Sequence, residues 1–149
     1  MYEFVKSTHS SLRWVLLALL LFVIIRHWLA YLQKKNYSKM DNATAGALVG
    51  MAHLQLILGL LLYFGLSPIT KAAFSDFGAA MKDPATRLIL VEHFTVNIIA
   101  IVLATVVNAK NKKAITDAAK FKNMWLLNGL GLVLILSRIP WSRLAALFA

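Results

Sequence analysis

The sequence predicts an all-α integral membrane protein, a bundle of four transmembrane helices that run up, down, up and down. Of its 149 residues, 60% are apolar and only 15% are charged, whereas a soluble domain is about 45–50% apolar and about 25% charged. Four apolar stretches are also about as long as the roughly 20 residues that a helix needs to cross a ~30 Å hydrocarbon core. They cover about residues 12–32, 43–66, 87–108 and 123–141 of a single membrane domain.

Each stretch has its own justification as a span. The first has an uninterrupted apolar core over residues 14–25, and no small-residue cleavage motif follows it, so we interpret it as a retained helix and not a secretory signal. The second is the clearest, because residues 42–70 hold no charged side chain. The third and fourth are apolar apart from a few polar residues: Glu92, His93, Thr95 and Asn97 in the third, and Asn128 and Arg138 in the fourth. Apolar residues at helical spacing predict an interfacial helix over 70–82.

Basic residues predict the orientation of these helices. Because cytoplasmic loops are enriched in lysine and arginine, the lysine-rich first and third connections place both termini outside the cytoplasm. The net charge of +10 therefore reflects topology, and no nucleic-acid partner is expected. The chain has no cysteine, which excludes disulfides, thiolate zinc sites, iron–sulfur clusters and cysteine nucleophiles. The two connections carry Lys34, Lys35, Lys39, Lys110, Lys112, Lys113, Lys120 and Lys122, against Lys6, Lys71, Lys82, Arg87 and Arg143 on the other side.

Ionisable residues inside the predicted spans are candidates for function, since each costs about 2.5–3.5 kcal/mol to insert. At ~1.5 Å of rise per residue, His53 lies about 15 Å and His93 about 22 Å from the cytoplasmic end of its span. His27 lies only about 8 Å in, and we interpret it as a snorkelling interfacial residue. His9 is placed at the outer edge, where a ligand, a quinone contact and an exposed rim residue are all open interpretations.

The two deep histidines fit a six-coordinate haem b, whose iron takes one neutral imidazole on each side of the ring. Small or polar residues accompany each predicted ligand on its helix face, Gly50 beside His53 and Asn97 beside His93. Arg13 and Arg87, near the outer surface, are predicted to hold the haem propionates. Bare helix packing by the small residues and a simple hydrogen bond from each histidine are the alternatives.

Glu92 and Arg138 reach similar depth, so a buried structural ion pair is predicted, with proton transfer as the alternative. A zinc or copper site formed by His9, His53, His93 and Glu92 ranks well below haem, because the predicted depths separate His9 from His93 by more than ~10 Å. No nucleotide-binding, dinucleotide-binding, serine-hydrolase or zinc-protease motif is present.

Short motifs lie along the chain: His9-Ser-Ser-Leu12-Arg13-Trp14, Ala52-His53-Leu54-Gln55 with Gly59 and Leu62-Tyr63-Phe64, Glu92-His93, Ala100-Ile101-Val102-Leu103, Lys112-Lys113, Phe121-Lys122 and Ile139-Pro140-Trp141. Together they resemble the short four-span bacterial membrane proteins catalogued as cytochrome b-like. The resemblance covers nearly the whole chain, and it implies a haem-binding fold in which His9, His53 and His93 are marked positions and His27 is not. Many relatives have a histidine where this chain has Asn108 and lack an arginine at Arg138, which argues against a second haem.

These observations predict a multi-pass protein of the bacterial cytoplasmic membrane that carries one haem b and transfers electrons. We expect an electron carrier or a subunit of a larger complex in preference to a stand-alone enzyme, because a bis-histidine iron has no free coordination position. The expected partners are lipid, a quinone or another membrane redox subunit, and a second copy of the chain. Two other classes stay open: a haem-free accessory subunit of a larger complex, and a proton or ion transporter that uses Glu92, Asn97 and Arg138. More distantly, the architecture is similar to the haem-bearing anchor subunits of quinone-linked dehydrogenases and to copper-resistance D type membrane proteins.

Overall fold

The computed structural model describes residues 1–141, and over that range the chain is helical and contains no strand. Two π-helical turns interrupt the regular helices: Leu61–Leu66 continues α2, and Leu88–His93 leads into α6. The α-helices, in chain order, are α1 (Tyr2–Leu32), α2 (Lys39–Leu60), α3 (Pro68–Ser75), α4 (Phe77–Lys82), α5 (Pro84–Arg87), α6 (Phe94–Asn111) and α7 (Asp117–Ser137).

Three helical segments are long and apolar enough to cross a membrane: Tyr2–Leu32, Lys39–Leu66 and Pro84–Asn111. They support the predicted class, an all-helical protein embedded in a membrane. α1 starts ten residues before the predicted first span at residue 12, and the second segment ends at Leu66, as predicted. α7 overlaps the predicted fourth span but is not among the three, since its first turns carry lysines and asparagine.

The four long helices pack as a bundle. α1 packs against α2 and α7, and α6 packs against the same two helices, so α1 and α6 lie on a diagonal. One end of the bundle carries the N-terminus and the short helices α3 to α5, and we call it the capped end. The other end carries the α1–α2 and α6–α7 connections, and we call it the lysine-rich end.

The core runs along the middle of the bundle. Its members recur at helical spacing, so that one stripe of each long helix faces inward. Two of the three core residues on α2 are alanines, and small residues are common at helix contacts in membrane bundles. The buried cluster consists of Leu16, Leu20 and Val23 from α1, Ala45, Leu48 and Ala52 from α2, Val107 from α6 and Met124 from α7.

The predicted interfacial helix over 70–82 is two helices in the structure, α3 and α4, which meet at Asp76. The Asp76 carboxylate accepts a hydrogen bond of 2.9 Å from the Ala79 amide and so caps α4. An aspartate that bonds its own following backbone competes with helix continuation, which explains the break. Ala73 and Ala80 are buried, while the side chains of Phe74 and Phe77 are exposed.

Candidate functional site

A cavity of about 410 Å³ lies between the long helices toward the capped end. Its size falls within the 300–1,000 Å³ of typical ligand sites, and its walls are mostly apolar, as in such sites. All four long helices contribute to the lining. Polar side chains in the lining include His9 and Arg13 from α1, Gln55 from α2, His93 and Asn97 from the segment Pro84–Asn111, and Asn128 from α7.

His93 is the last residue of a π-helical turn, a local geometry that is frequent at functional sites. Its Nδ1 lies 2.8 Å from the backbone carbonyl oxygen of Arg138. Because a carbonyl can only accept, Nδ1 carries the proton and Nε2 keeps a lone pair. One turn later, the Asn97 amide nitrogen lies 3.2 Å from the same Nδ1 and donates to the His93 carbonyl oxygen at 2.6 Å. The Arg138 carbonyl favours the neutral tautomer in which Nε2 is the acceptor.

His9 lines the same cavity from the opposite corner of the bundle. Its backbone carbonyl oxygen accepts a 2.7 Å hydrogen bond from Gln55 Nε2, which ties α1 to α2 at this level. Its Nδ1 is buried and has no hydrogen-bond partner. Gly59 makes room for the ring, because a Cβ at that position would lie 3.3 Å from His9 Cε1. Because His9 also lines the cavity, this unpaired nitrogen is a candidate contact for a ligand bound there.

The sequence predicts His9 at the outer edge of the membrane. In the structure α1 starts at Tyr2, and His9 lies within the bundle beside Gly59. His9 and His93 come from diagonal helices and line one cavity.

His53 lies elsewhere. The inward face of α2 carries Ala52 and Gln55, and His53 follows Ala52 by about 100° around the helix. Its side chain is exposed, does not line the cavity, and bonds only to its own helix, with Nδ1 2.8 Å from the Val49 carbonyl oxygen. Gly50 lies on the same open face, with no atom within 4 Å of an added Cβ. The structure therefore does not bring His53 and His93 together.

The two arginines predicted near the haem propionates differ in position. Arg13 lines the cavity, and its buried Nε has no hydrogen-bond partner. Arg87 does not line the cavity. Its guanidinium instead donates to Glu92 Oε1 at 3.1 Å and to the Met81 carbonyl oxygen at 3.1 Å.

Glu92 and Arg138 form an ion pair, with Arg138 Nε 3.3 Å from Glu92 Oε2. The prediction of a buried pair needs correction on one point, because the side chains are 43% (Arg138) and 32% (Glu92) exposed. Arg87 holds the other carboxylate oxygen. Glu92 is thus shared by two guanidinium groups at the edge of the capped end.

The interpretation of His27 as a snorkelling residue is wrong. His27 is fully buried at the lysine-rich end, with its ring 5.8 Å from that of Tyr37 and 5.7 Å from that of Phe121. Its Nδ1 lies 2.7 Å from the Val23 carbonyl oxygen, and Nε2 has no hydrogen-bond partner. The adjacent Arg26 takes the outward position, because consecutive helical residues differ by about 100° in direction.

The sequence reasoning did not identify Gln55 and Asn128 as site residues. Both are buried, and each has a side-chain oxygen without a hydrogen-bond partner. A detectable signal existed for Gln55, which is a polar residue in the stretch free of charge, one turn before Gly59. Both residues line the cavity.

Within residues 1–141, no three His, Cys, Asp or Glu side chains are grouped so as to hold a metal ion. Haem needs fewer ligands from the chain, because the porphyrin itself supplies four of the iron ligands. A scan against protein-family models and searches of the curated proteins and the solved structures found no match.

Proposed function

We propose that this protein binds one haem b in the cavity at the capped end, that His9 and His93 would hold its iron, and that the protein transfers electrons in a membrane. The observation that carries the proposal is the pair of imidazoles lining one mainly apolar cavity from diagonal helices. His9 replaces His53, which was the second ligand predicted from the sequence, because His53 lies outside that cavity.

The chemistry of the two rings supports the proposal. The hydrogen bond from His93 Nδ1 to the Arg138 carbonyl oxygen leaves Nε2 free to bind iron. Ligating histidines usually donate their other ring nitrogen to a carbonyl or carboxylate in this way. His9 has a buried ring nitrogen without a partner, which a ligand in the cavity would explain.

The other cavity residues have roles that fit the same group. Arg13 presents a buried, unpaired Nε to a cavity that reaches Tyr2 and Lys6, and it can pair with a propionate carboxylate. The apolar walls would exclude water from a bound haem. Haem supplies a one-electron redox couple, and two histidine ligands leave no coordination position for oxygen chemistry, so electron transfer is the expected use.

An absorption experiment tests the haem. The purified protein, expressed with sufficient haem supply, should give the reduced-minus-oxidised spectrum of a low-spin b-type cytochrome. His93→Ala and His9→Ala should each abolish the low-spin spectrum, whereas His53→Ala is the matched control and should keep it. Protein that takes up no haem would overturn the function. A spectrum that His53→Ala abolishes and His9→Ala leaves intact would overturn only the choice of ligand.

We also propose that α7 is a fourth span, that both termini lie outside the cytoplasm, and that the membrane is the bacterial cytoplasmic membrane. α7 packs along α1 and α6, two segments that are apolar enough to span, and the lysines collect at one end. The cysteine-free chain is suited to single-cysteine labelling. An impermeant maleimide should label Ser75→Cys and Trp141→Cys from outside and Ala114→Cys only after permeabilisation. Labelling of Trp141→Cys and Ala114→Cys from the same side would overturn the fourth span.

A further inference from the structure

A groove of about 550 Å³ lies beside α1 at the lysine-rich end, on the opposite end of the bundle from the cavity. Its floor includes Phe22, Ile25 and Leu29, which lie on one face of α1 at helical spacing and are 50%, 44% and 43% exposed. The groove continues to Gln33 at the end of the helix. From Phe22 to Gln33 the rise is about 16 Å, half of the ~30 Å hydrocarbon core. The groove is therefore as tall as one leaflet.

Hydrogen-bond donors without a partner surround the rim of the groove at the lysine-rich end. Arg26 uses Nε to bind Asp41 Oδ1 at 2.7 Å, and its two terminal nitrogens have no hydrogen-bond partner in the described part of the chain. The Lys35 ammonium group and the side-chain amides of Gln33 and Asn36 likewise have none among residues 1–141. All four side chains line the groove.

The charge at this rim is positive on balance. Asp41 is buried, and Ser38 satisfies its second carboxylate oxygen through the backbone amide at 2.8 Å and the hydroxyl at 2.6 Å. Both carboxylate oxygens of Asp41 thus have partners within the protein, while the terminal nitrogens of Arg26 and the ammonium group of Lys35 remain available to a ligand. Both loop segments at this end add further lysines, and clustered bases beside a membrane segment attract anionic headgroups.

We propose that this groove binds a phospholipid with an anionic headgroup. One acyl chain lies along Phe22, Ile25 and Leu29, and the headgroup phosphate accepts hydrogen bonds from Arg26 and Lys35. Leaflet height, an apolar floor and a cationic rim of unpaired donors together fit a lipid better than a soluble anion, which would make no use of the floor. The site does not depend on haem.

Lipid binding to the delipidated full chain in detergent tests the proposal, with native mass spectrometry as the measurement. Phosphatidylglycerol should bind more tightly than phosphatidylcholine with the same acyl chains. Lys35→Gln should weaken phosphatidylglycerol binding about fivefold, the effect of one base near a membrane surface. Lys34→Gln is the matched control, because Lys34 is adjacent but does not line the groove, and it should bind as the parent does.

A second variant tests the floor. Leu29→Trp fills the groove and should weaken binding of both lipids, while the helical content by circular dichroism stays that of the parent. The proposal is overturned if the two lipids bind equally, if Lys34→Gln and Lys35→Gln weaken binding equally, or if Leu29→Trp binds as the parent does. Inorganic phosphate that binds as tightly as phosphatidylglycerol would show a site for a free anion, and that result would also overturn the proposed lipid site.

Discussion

His93 Nδ1 lies 2.8 Å from the backbone carbonyl oxygen of Arg138, a residue 45 positions later in the chain. The guanidinium of the same arginine pairs with Glu92, the residue before His93, at 3.3 Å. The end of α7 is therefore attached to the π-helical turn at two points, one through the backbone and one through a side chain. The backbone bond positions the imidazole, and the side-chain pair is a second, more exposed contact between the same two segments.

The Glu92–Arg138 ion pair should contribute little to stability. Both side chains are about one third to two fifths exposed, and exposed pairs are worth about 0.2–1 kcal/mol. A double-mutant cycle of Glu92→Gln and Arg138→Gln, measured by denaturant unfolding in detergent, should give a coupling free energy in that range. A coupling free energy above about 3 kcal/mol would instead indicate a pair shielded from its surroundings.

His27 should matter for packing and not for its polarity. Its ring is fully buried against Tyr37 and Phe121, and Nε2 has no hydrogen-bond partner. His27→Ala should lower the free energy of unfolding by about 3 kcal/mol, since it leaves a cavity. His27→Phe conserves most of the volume and should cost less than about 1.5 kcal/mol. Equal losses in the two variants would show that a polar contact of the ring, at Nδ1 with Val23 or at Nε2, matters more than its packing.

Two glycines of α2 should respond differently to alanine. At Gly50 an added Cβ meets no atom within 4 Å, so Gly50→Ala should raise the free energy of unfolding by about 0.5–1 kcal/mol through helix propensity. At Gly59 the Cβ would lie 3.3 Å from His9 Cε1 and the ring must move by a few tenths of an ångström. Gly59→Ala should therefore not raise the free energy of unfolding in this way. Thermal unfolding of the two variants compares them directly. An equal gain at both positions would place His9 away from α2.

Asp117 should make stability depend on acid pH. Its carboxylate accepts a 2.9 Å hydrogen bond from the Tyr37 amide and a 3.0 Å one from Lys120 Nζ, and both hold its pKa below the ordinary value. The stabilisation is present above the unfolded-state pKa of about 4 and is lost as the pH falls through the lower folded-state pKa.

Unfolding temperatures of the parent and Asp117→Asn, measured between pH 6 and pH 2, test this expectation. The difference between the two proteins should shrink as the pH falls below about 4. Lys120→Met keeps the Tyr37 hydrogen bond and should retain part of the pH dependence. A constant difference between parent and Asp117→Asn at every pH would contradict the assignment.

Residues of the candidate site were predicted from the sequence to different extents. His93, Asn97 and Arg13 were predicted, and all three line the cavity. The pairing of Glu92 with Arg138 followed from their similar depth in neighbouring spans. His53 was chosen over His9 because depth was counted from assumed span ends, and α1 extends ten residues beyond its assumed start. Gln55 and Asn128 were missed, since an amide carries no charge that marks it as costly.

The sequence by itself determined that the protein lies in a membrane and where its long helices run. Its long apolar stretches require lipid, and the few ionisable residues within them mark candidate functional positions. Only the tertiary structure decided which face of α2 points inward, Ala52 and Gln55 and not His53. The physical reason is that lipid is as apolar as the protein core, so the inner and outer faces of a membrane helix carry similar residues and periodicity does not separate them. Contact with His9 through Gly59 and Gln55 fixes the rotation of α2, and that contact joins residues 46 and 50 positions apart.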